Sequence, residues 1–312
     1  MTTAAAWFGR AAQAGRLVAD RVELWIPGAI GSLAYIAWLP LVLVVASLPR
    51  VSDLTFLGAD LYSSPLYPLN ILLLALLLAL LVVIACGLAA VGEAFLLREL
   101  SDAQPARSWG NDVGVVLSVL LVAGLPAAAV LGATSLRLAS IAPAVFTSPD
   151  IGGPLVVRVI VELAPFLVVL AAALLVGQAW GAASIRRALG QPAVTLRSAL
   201  LAGLRDLVAR PARRIGLSLV ATAADLLGAG LAFVLLRLLW GPIQVDLAGK
   251  QPFSLQSLPL LVGFVAIWLA LVLVVGLLHA WVSAWWSLEL SRTIVDPLAA
   301  GEEVPRDPRA RP

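Results

Sequence analysis

Six apolar segments, at residues 25–48, 66–97, 113–133, 155–185, 215–239 and 258–290, decide what this chain can become. A hydrocarbon layer about 30 Å thick takes about 20 helical residues to cross, and inside it every backbone N–H and C=O must be satisfied within the crossing segment. All six meet that length. The first, third and fifth lie near the minimum, whereas the second, fourth and sixth are much longer. With 61% hydrophobic and only 12% charged residues, the chain carries more apolar surface than a water-soluble fold can bury. The sequence therefore predicts an all-α, polytopic transmembrane helical bundle, its six spans arranged as three helical hairpins. The first segment exceeds the core of a signal peptide, about 7 to 15 residues, and no small-residue cleavage site follows it, so it reads as a retained span.

Basic residues orient the spans. With the N-terminus cytoplasmic, only Arg50, Arg137, Arg158, Arg237 and Lys250 of the 21 basic residues fall outside. This imbalance predicts a plasma-membrane protein with both termini cytoplasmic. The outer connections, 52–70, 138–154 and 241–259, are rich in Pro, Ser and Gly and read as short surface loops. Within the inner stretch TLRSALLAGLRDLVARPARR, Leu196, Leu200, Leu204, Leu207 and Val208 recur at helical spacing with arginines largely elsewhere. That pattern predicts a basic amphipathic helix on the cytoplasmic face, attracted to anionic lipid headgroups. Residues 7–22 repeat it more weakly through Trp7, Ala11, Val18 and Val22. Residues 1–295 form the six-span domain, and the proline-rich, charged residues 296–312 read as a disordered cytoplasmic tail.

Three pentapeptides near the inner ends of the even-numbered spans resemble one another: VGEAF at 91–95, VGQAW at 176–180 and LLHAW at 277–281. Each carries a polar residue, then alanine, then an aromatic, the polar positions being Glu93, Gln178 and His279. All three lie about 30 to 37 Å along their helices, near the far edge of the hydrocarbon. The likeness continues from RELSDAQPARS at 98–108 to RALGQPAVTLRS at 187–198. It points to three repeated units, each an amphipathic segment followed by a hairpin.

Function is harder to read. The only histidine lies in HAWVSAWWSLEL, but Glu289 is ten residues on, about 15 Å along a helix and turned away, so the two cannot form a dyad. The tryptophans there read as interfacial anchors and His279 as a satisfied interfacial side chain. Asp225 stands out more. It lies about 15 Å past Ile215, where a carboxylate must face the bundle interior or water. Ser218, Thr222, Asp225 and Gly228 share its face, and Arg158, by depth, is its nearest basic candidate. Arg158 and Glu162, four residues apart, read as a local pair. The spacing of Gly177 and Gly181 suits a close helix crossing. Lone Cys86 excludes a disulfide framework, scattered arginines speak against nucleic-acid binding, and no phosphate-binding loop, metal-ligand pattern or nucleophile elbow occurs. The expectation is no catalytic residue, no metal and no cofactor.

The alternation of short and long spans, the R-x-L-x-QPA segment followed by RSALLAGLRDL, and the re-entry at RRIGLSLV make the chain similar to bacterial six-span proteins. These resemble the membrane domain joined to some glycerophosphodiester phosphodiesterases. The resemblance implies a bundle of this plan and not the activity, since the soluble catalytic barrel has no counterpart. The leading expectation is a non-enzymatic membrane component that supports a membrane protein partner or organises lipid. A carrier for a lipid or small solute, using an intramembrane carboxylate, and a membrane-embedded hydrolase are the alternatives.

Overall fold

Leucine-rich segments with no interior polar group to break them propagate as unusually long helices. In the computed structural model, which describes residues 3–46, 60, 63–67, 69–100, 108–147, 155–190, 194–248 and 257–295, nine α-helices account for nearly all of the described residues. They are α1 Thr3–Asp20, α2 Trp25–Ser32, α3 Leu39–Val45, α4 Leu69–Leu100, α5 Trp109–Thr147, α6 Leu155–Gly190, α7 Leu196–Ala209, α8 Pro211–Ala248 and α9 Ser257–Val295. No strand occurs among the described residues. The tail 296–312, the outer-loop segments 47–59, 148–154 and 249–256, and most of the QPA segments lie outside them.

The bundle contains five helices long and apolar enough to cross a membrane, and a bent pair that makes a sixth if taken as one span. That pair is α2 and α3, with a π-helical turn at Leu33–Ala37 and a 48° bend at Trp38. Pro40 follows at once; lacking an N–H, it removes a hydrogen bond where the helix resumes. The expected alternation of short and long helices is absent. Helices α5 and α8 run 39 and 38 residues, as long as α9 at 39. Hydropathy ends at Thr134, Arg137 and Arg237, but those side chains do not interrupt the backbone, so the helices continue beyond their apolar windows.

The spans close a ring in chain order, α2 against α4, then α5, α6, α8 and α9, with α9 returning to α2. Glycine sets the tightest crossings. A Cβ on Gly92 would lie 2.5 Å from the Gly31 nitrogen, and one on Gly276 would lie 2.5 Å from Ala29. Gly177 and Gly181 both face Ala123 of α5, so the G-x-x-x-G spacing does seat a helix.

Packing is concentrated at one end. On α4, Leu80 to Ile84 are each 49 to 59% exposed. Five consecutive residues cover every side of a helix of 3.6 residues per turn, so this part of α4 is exposed on every face and enclosed on none. Ten residues on, Ala89, Ala90, Ala94 and Leu96 are buried. On α6 and α9 only one face is bare toward that end: Val161, Val168, Leu260 and Val262 are exposed, but Leu163 and Phe264 are buried, Phe264 in a cluster with Val44 of α3 and Leu236 and Ile243 of α8. The bundle thus has a packed end and an end where α4 is splayed away from this outer cluster.

Helices α1 and α7 belong to the packed end. Trp281 Nε1 donates to the Ala11 carbonyl at 2.8 Å, and Trp180 Nε1 to that of Leu200 at 2.8 Å. Val18 and Ala14 of α1 are buried, in keeping with the Trp7–Ala11–Val18 stripe, whereas Val22 is exposed. On α7 the packed face is Ala199, Gly203, Asp206 and Leu207, with Gly203 pressed on Ser184. Leu201, Leu204 and Val208 point away. The small residues, not the leucines, make that contact because only they let two helix backbones approach. Thr195 caps α7, its Oγ1 accepting from the Ser198 N–H at 3.3 Å.

Candidate functional site

The three repeat positions stand where the packed end begins. The alanine after each, Ala94, Ala179 and Ala280, is fully buried, and the aromatic after that holds a different element. Phe95 meets Trp109 of α5 edge-on with ring centres 5.8 Å apart, while Trp180 holds α7 and Trp281 holds α1. The helices continue past the polar positions to Leu100, Gly190 and Val295.

Glu93 is the centre of a buried network. Arg186 Nη2 lies 2.9 Å from Glu93 Oε1 and donates to the Ser283 carbonyl at 2.9 Å and its Oγ at 2.6 Å. Its Nη1 donates to the Ala182 carbonyl at 3.1 Å and its Nε to Ser287 Oγ at 3.2 Å. Ser283 Oγ in turn donates to Glu93, at 3.1 Å to Oε1. One guanidinium therefore joins α4, α6 and α9 through all three of its nitrogens. Sequence reasoning missed Arg186; its position eight residues beyond Gln178, just before Arg187, reads as a solvated inner-end charge.

His279 sits beside this network. Its Nε2 is 3.8 Å from Glu93 Oε2, too far for a hydrogen bond, and is buried with no hydrogen-bond partner. A Cβ on Gly31 would lie 2.8 Å from it, so the imidazole edge is wedged against α2. Tyr35, within the π-helical turn, lays its ring 5.5 Å from the imidazole. Such turns carry one extra residue per turn and often re-aim side chains at functional positions. The histidine is thus a bundle side chain, not the satisfied interfacial group its neighbouring tryptophans suggested.

Those tryptophans are not interfacial anchors either. Trp285 and Trp286 are each 2% exposed, and Trp285 stacks on Trp281 and meets Trp7 at 4.5 Å. An anchor needs its indole at the headgroup level; these are core of the packed end, between α1 and α8. Glu289 is wholly buried there. Arg10 Nε of α1 approaches it at 3.2 Å, and Arg213 Nε of α8 donates to it at 3.1 Å. A second ion pair, Arg214 to Asp206 at 2.6 Å, joins α8 to α7.

Asp225 falls at the level of the repeat positions. From Arg213 it is about 18 Å up α8, and from Glu289, which Arg213 touches, His279 is about 15 Å up the antiparallel α9. Arg158, the partner that depth alone suggested, makes no hydrogen bond to the buried Asp225 Oδ1. One turn back, Thr222 donates to Gln178 Oε1 at 3.1 Å. Ser218 Oγ and Asp225 Oδ1 are both buried with no hydrogen-bond partner. Gly228 packs on Leu278 and Val275 of α9, so the stripe from Ser218 to Gly228 faces two neighbours. Arg158 and Glu162 take no part: Glu162 receives a 3.0 Å hydrogen bond from Arg137 of α5, a cross-helix partner that i,i+4 spacing within α6 concealed.

The assembly unites Glu93, Gln178, His279, Thr222, Asp225 and Tyr35, contributed by α4, α6, α9, α8 and the first span. It is open on one side, since Gln178 is exposed and Thr222 and Asp225 are half-buried. Among the described residues no group of three or more His, Cys, Asp or Glu side chains could hold a metal ion. A shallow depression of about 530 Å³ between the starts of α5 and α7, lined by Gly110, Asn111, Gly114, Val115, Ser118 and Leu196, holds no charged group. No family model, curated protein or solved structure matches this chain.

Proposed function

We propose that this is a non-enzymatic, six-span protein of a bacterial plasma membrane that holds membrane lipid in the splayed half of its bundle. The packed end then faces the cytoplasm, together with both termini. The six-span plan is that of the membrane domain which the sequence resembles.

One observation carries the reading: apolar side chains of α4 exposed on every face toward one end of the bundle, above a polar floor nearer the other. In a bilayer only acyl chains can cover Leu80 to Ile84 on every side. A hydrolase reading is less favoured because Glu93, the carboxylate beside His279, has its oxygens engaged by Arg186 and Ser283 and is not a free base. At the cytoplasmic face Leu201, Leu204 and Val208 of α7, flanked by exposed Arg197 and Arg205, are suited to the anionic headgroup layer.

Native mass spectrometry of the protein extracted with its surrounding bilayer tests the proposal. A bound lipid that persists after the annular lipids are stripped, and is lost when Val161 and Val168 are replaced by arginine, is the expected result. Bare protein under the same conditions would refute it. A carrier is the second reading, favoured by the unpartnered Asp225; it requires flux across proteoliposomes, which a lipid-holding protein would not show.

A further inference from the structure

We infer that Asp225 anchors a headgroup subsite for a protonated amine, carried by an amphiphile whose chains lie along the splayed end of the bundle. The inference rests on the lipid-holding reading above and names the chemistry of its head.

Charge accounting leads to the amine. Four ionisable side chains of opposite kinds meet at the floor: Glu93 and Asp225, Arg186 and His279. Glu93 and Arg186 compensate one another at 2.9 Å, and the guanidinium spends its remaining donors on Ser283, Ser287 and the Ala182 carbonyl. The charge of Arg186 is thus met by Glu93. What remains is Asp225, with one oxygen buried and unpartnered, and His279, whose Nε2 is buried and makes no hydrogen bond.

The other open groups are acceptors or ambivalent. Ser218 Oγ is buried without a partner, Thr222 has already given its proton to Gln178, and the Tyr35 hydroxyl can donate or accept. A cluster with one unpaired carboxylate and surplus oxygen lone pairs complements a group with charge and several N–H donors. An ammonium has three. An anionic head would meet the carboxylates of Asp225 and Glu93 with Arg186 already paired to Glu93, and a hydroxyl would leave the carboxylate charge in place.

The surroundings fix the rest of the ligand. Leu219 and Leu226 on α8, which flank the face of Asp225, and Leu174 on α6, one turn from Gln178, are exposed, so whatever reaches Asp225 does so past apolar side chains. A small polar amine would lose hydration along that route with no return, whereas an alkyl chain gains with every CH₂ it buries. The first span supplies the flexible element at this level, its π-helical turn holding Tyr35 over His279.

The experiment uses the full chain in phosphatidylcholine nanodiscs and four probes: radiolabelled dodecylamine, dodecanol, dodecyl sulfate and phosphatidylethanolamine. The wild type should bind dodecylamine at least tenfold more tightly than dodecanol, and dodecyl sulfate most weakly. Asp225→Asn should bring the amine down to the dodecanol level while leaving dodecanol unchanged, and Asp225→Glu should restore the preference. Equal affinity for amine and alcohol in the wild type, or a preference for the sulfate, would overturn the inference without any variant having to fold. Failure of all four probes to bind would sink the lipid-holding reading as well. Phosphatidylethanolamine that displaces dodecylamine assigns the amine to a bilayer lipid, and phosphatidylethanolamine that does not assigns it to a hydrophobic amine from solution; either keeps the amine subsite.

Discussion

Glu93 on α4 and Arg186 on α6 form a buried ion pair at 2.9 Å, and Ser283 of α9 hydrogen-bonds to both partners. Three helices from three different hairpins are thereby fixed at one level. The cost of removing one buried charge is chiefly that of stranding the other, about 3 to 5 kcal/mol. Glu93→Ala should therefore destabilise the bundle by about that amount, and Arg186→Met similarly. The double replacement Glu93→Leu with Arg186→Met should recover most of the loss. Unfolding of the purified protein in mixed micelles measures all three, and additive losses would show that the two side chains act independently.

How much of this was legible in the sequence follows from what pattern can encode. Glu93, Gln178 and His279 were found as a repeat because the period-preserving alanine and aromatic leave a trace, and those alanines are the fully buried contacts. Arg186 was missed because an arginine near a predicted inner end reads as solvated unless its partners on α4 and α9 are known. The tryptophans of α9 were misassigned for a related reason. Interfacial and core indoles look alike in one helix, and only α1, folding back over Trp281 and Trp285 from the far end of the chain, makes the distinction. On α7 amphipathicity located the helix but not the face that packs on the bundle, since Ala199, Gly203 and Asp206 make that contact as small or paired residues outside the leucine stripe.

Helix crossings give a sharper stability test. A Cβ at position 92 would lie 2.5 Å from the Gly31 backbone nitrogen, where no side chain can move aside. Gly92→Ala should cost about 1 to 3 kcal/mol by forcing α2 and α4 apart. Gly87, one turn and a half earlier on the same helix, has nothing within 4 Å, and Gly87→Ala should shift stability by no more than about 0.5 kcal/mol. Thermal unfolding compares the two; equal effects would mean that the crossing is not formed.

The contact of α1 with the packed end depends on Glu289, which is wholly buried between Arg10 and Arg213. Glu289→Gln keeps the shape and removes the charge that both arginines approach. Amide exchange in α1 should then accelerate about tenfold, with the inner turns of α4 unaffected. Hydrogen exchange with mass spectrometry reads both segments at once, and unchanged protection of α1 would assign its docking to Trp7, Ala14 and Val18 alone.

Asp225 separates the readings of the polar floor. As a helix fastener it should hold a partner, and Asp225→Asn should lower stability by about 1 kcal/mol, the size of a good interhelical hydrogen bond in a membrane. The structure points the other way. Asp225 Oδ1 is buried and unpartnered, and Arg158 makes no hydrogen bond to it. Removing a carboxylate that nothing compensates relieves a desolvation cost, while the amide keeps the volume. Asp225→Asn should accordingly leave stability unchanged or raise it by about 1 kcal/mol, in contrast to the loss expected for Glu93→Ala at the same level of the bundle. Equilibrium unfolding of the two variants side by side decides the matter. A loss at Asp225 comparable to that at Glu93 would make it a second fastener and remove the reason for assigning it a ligand.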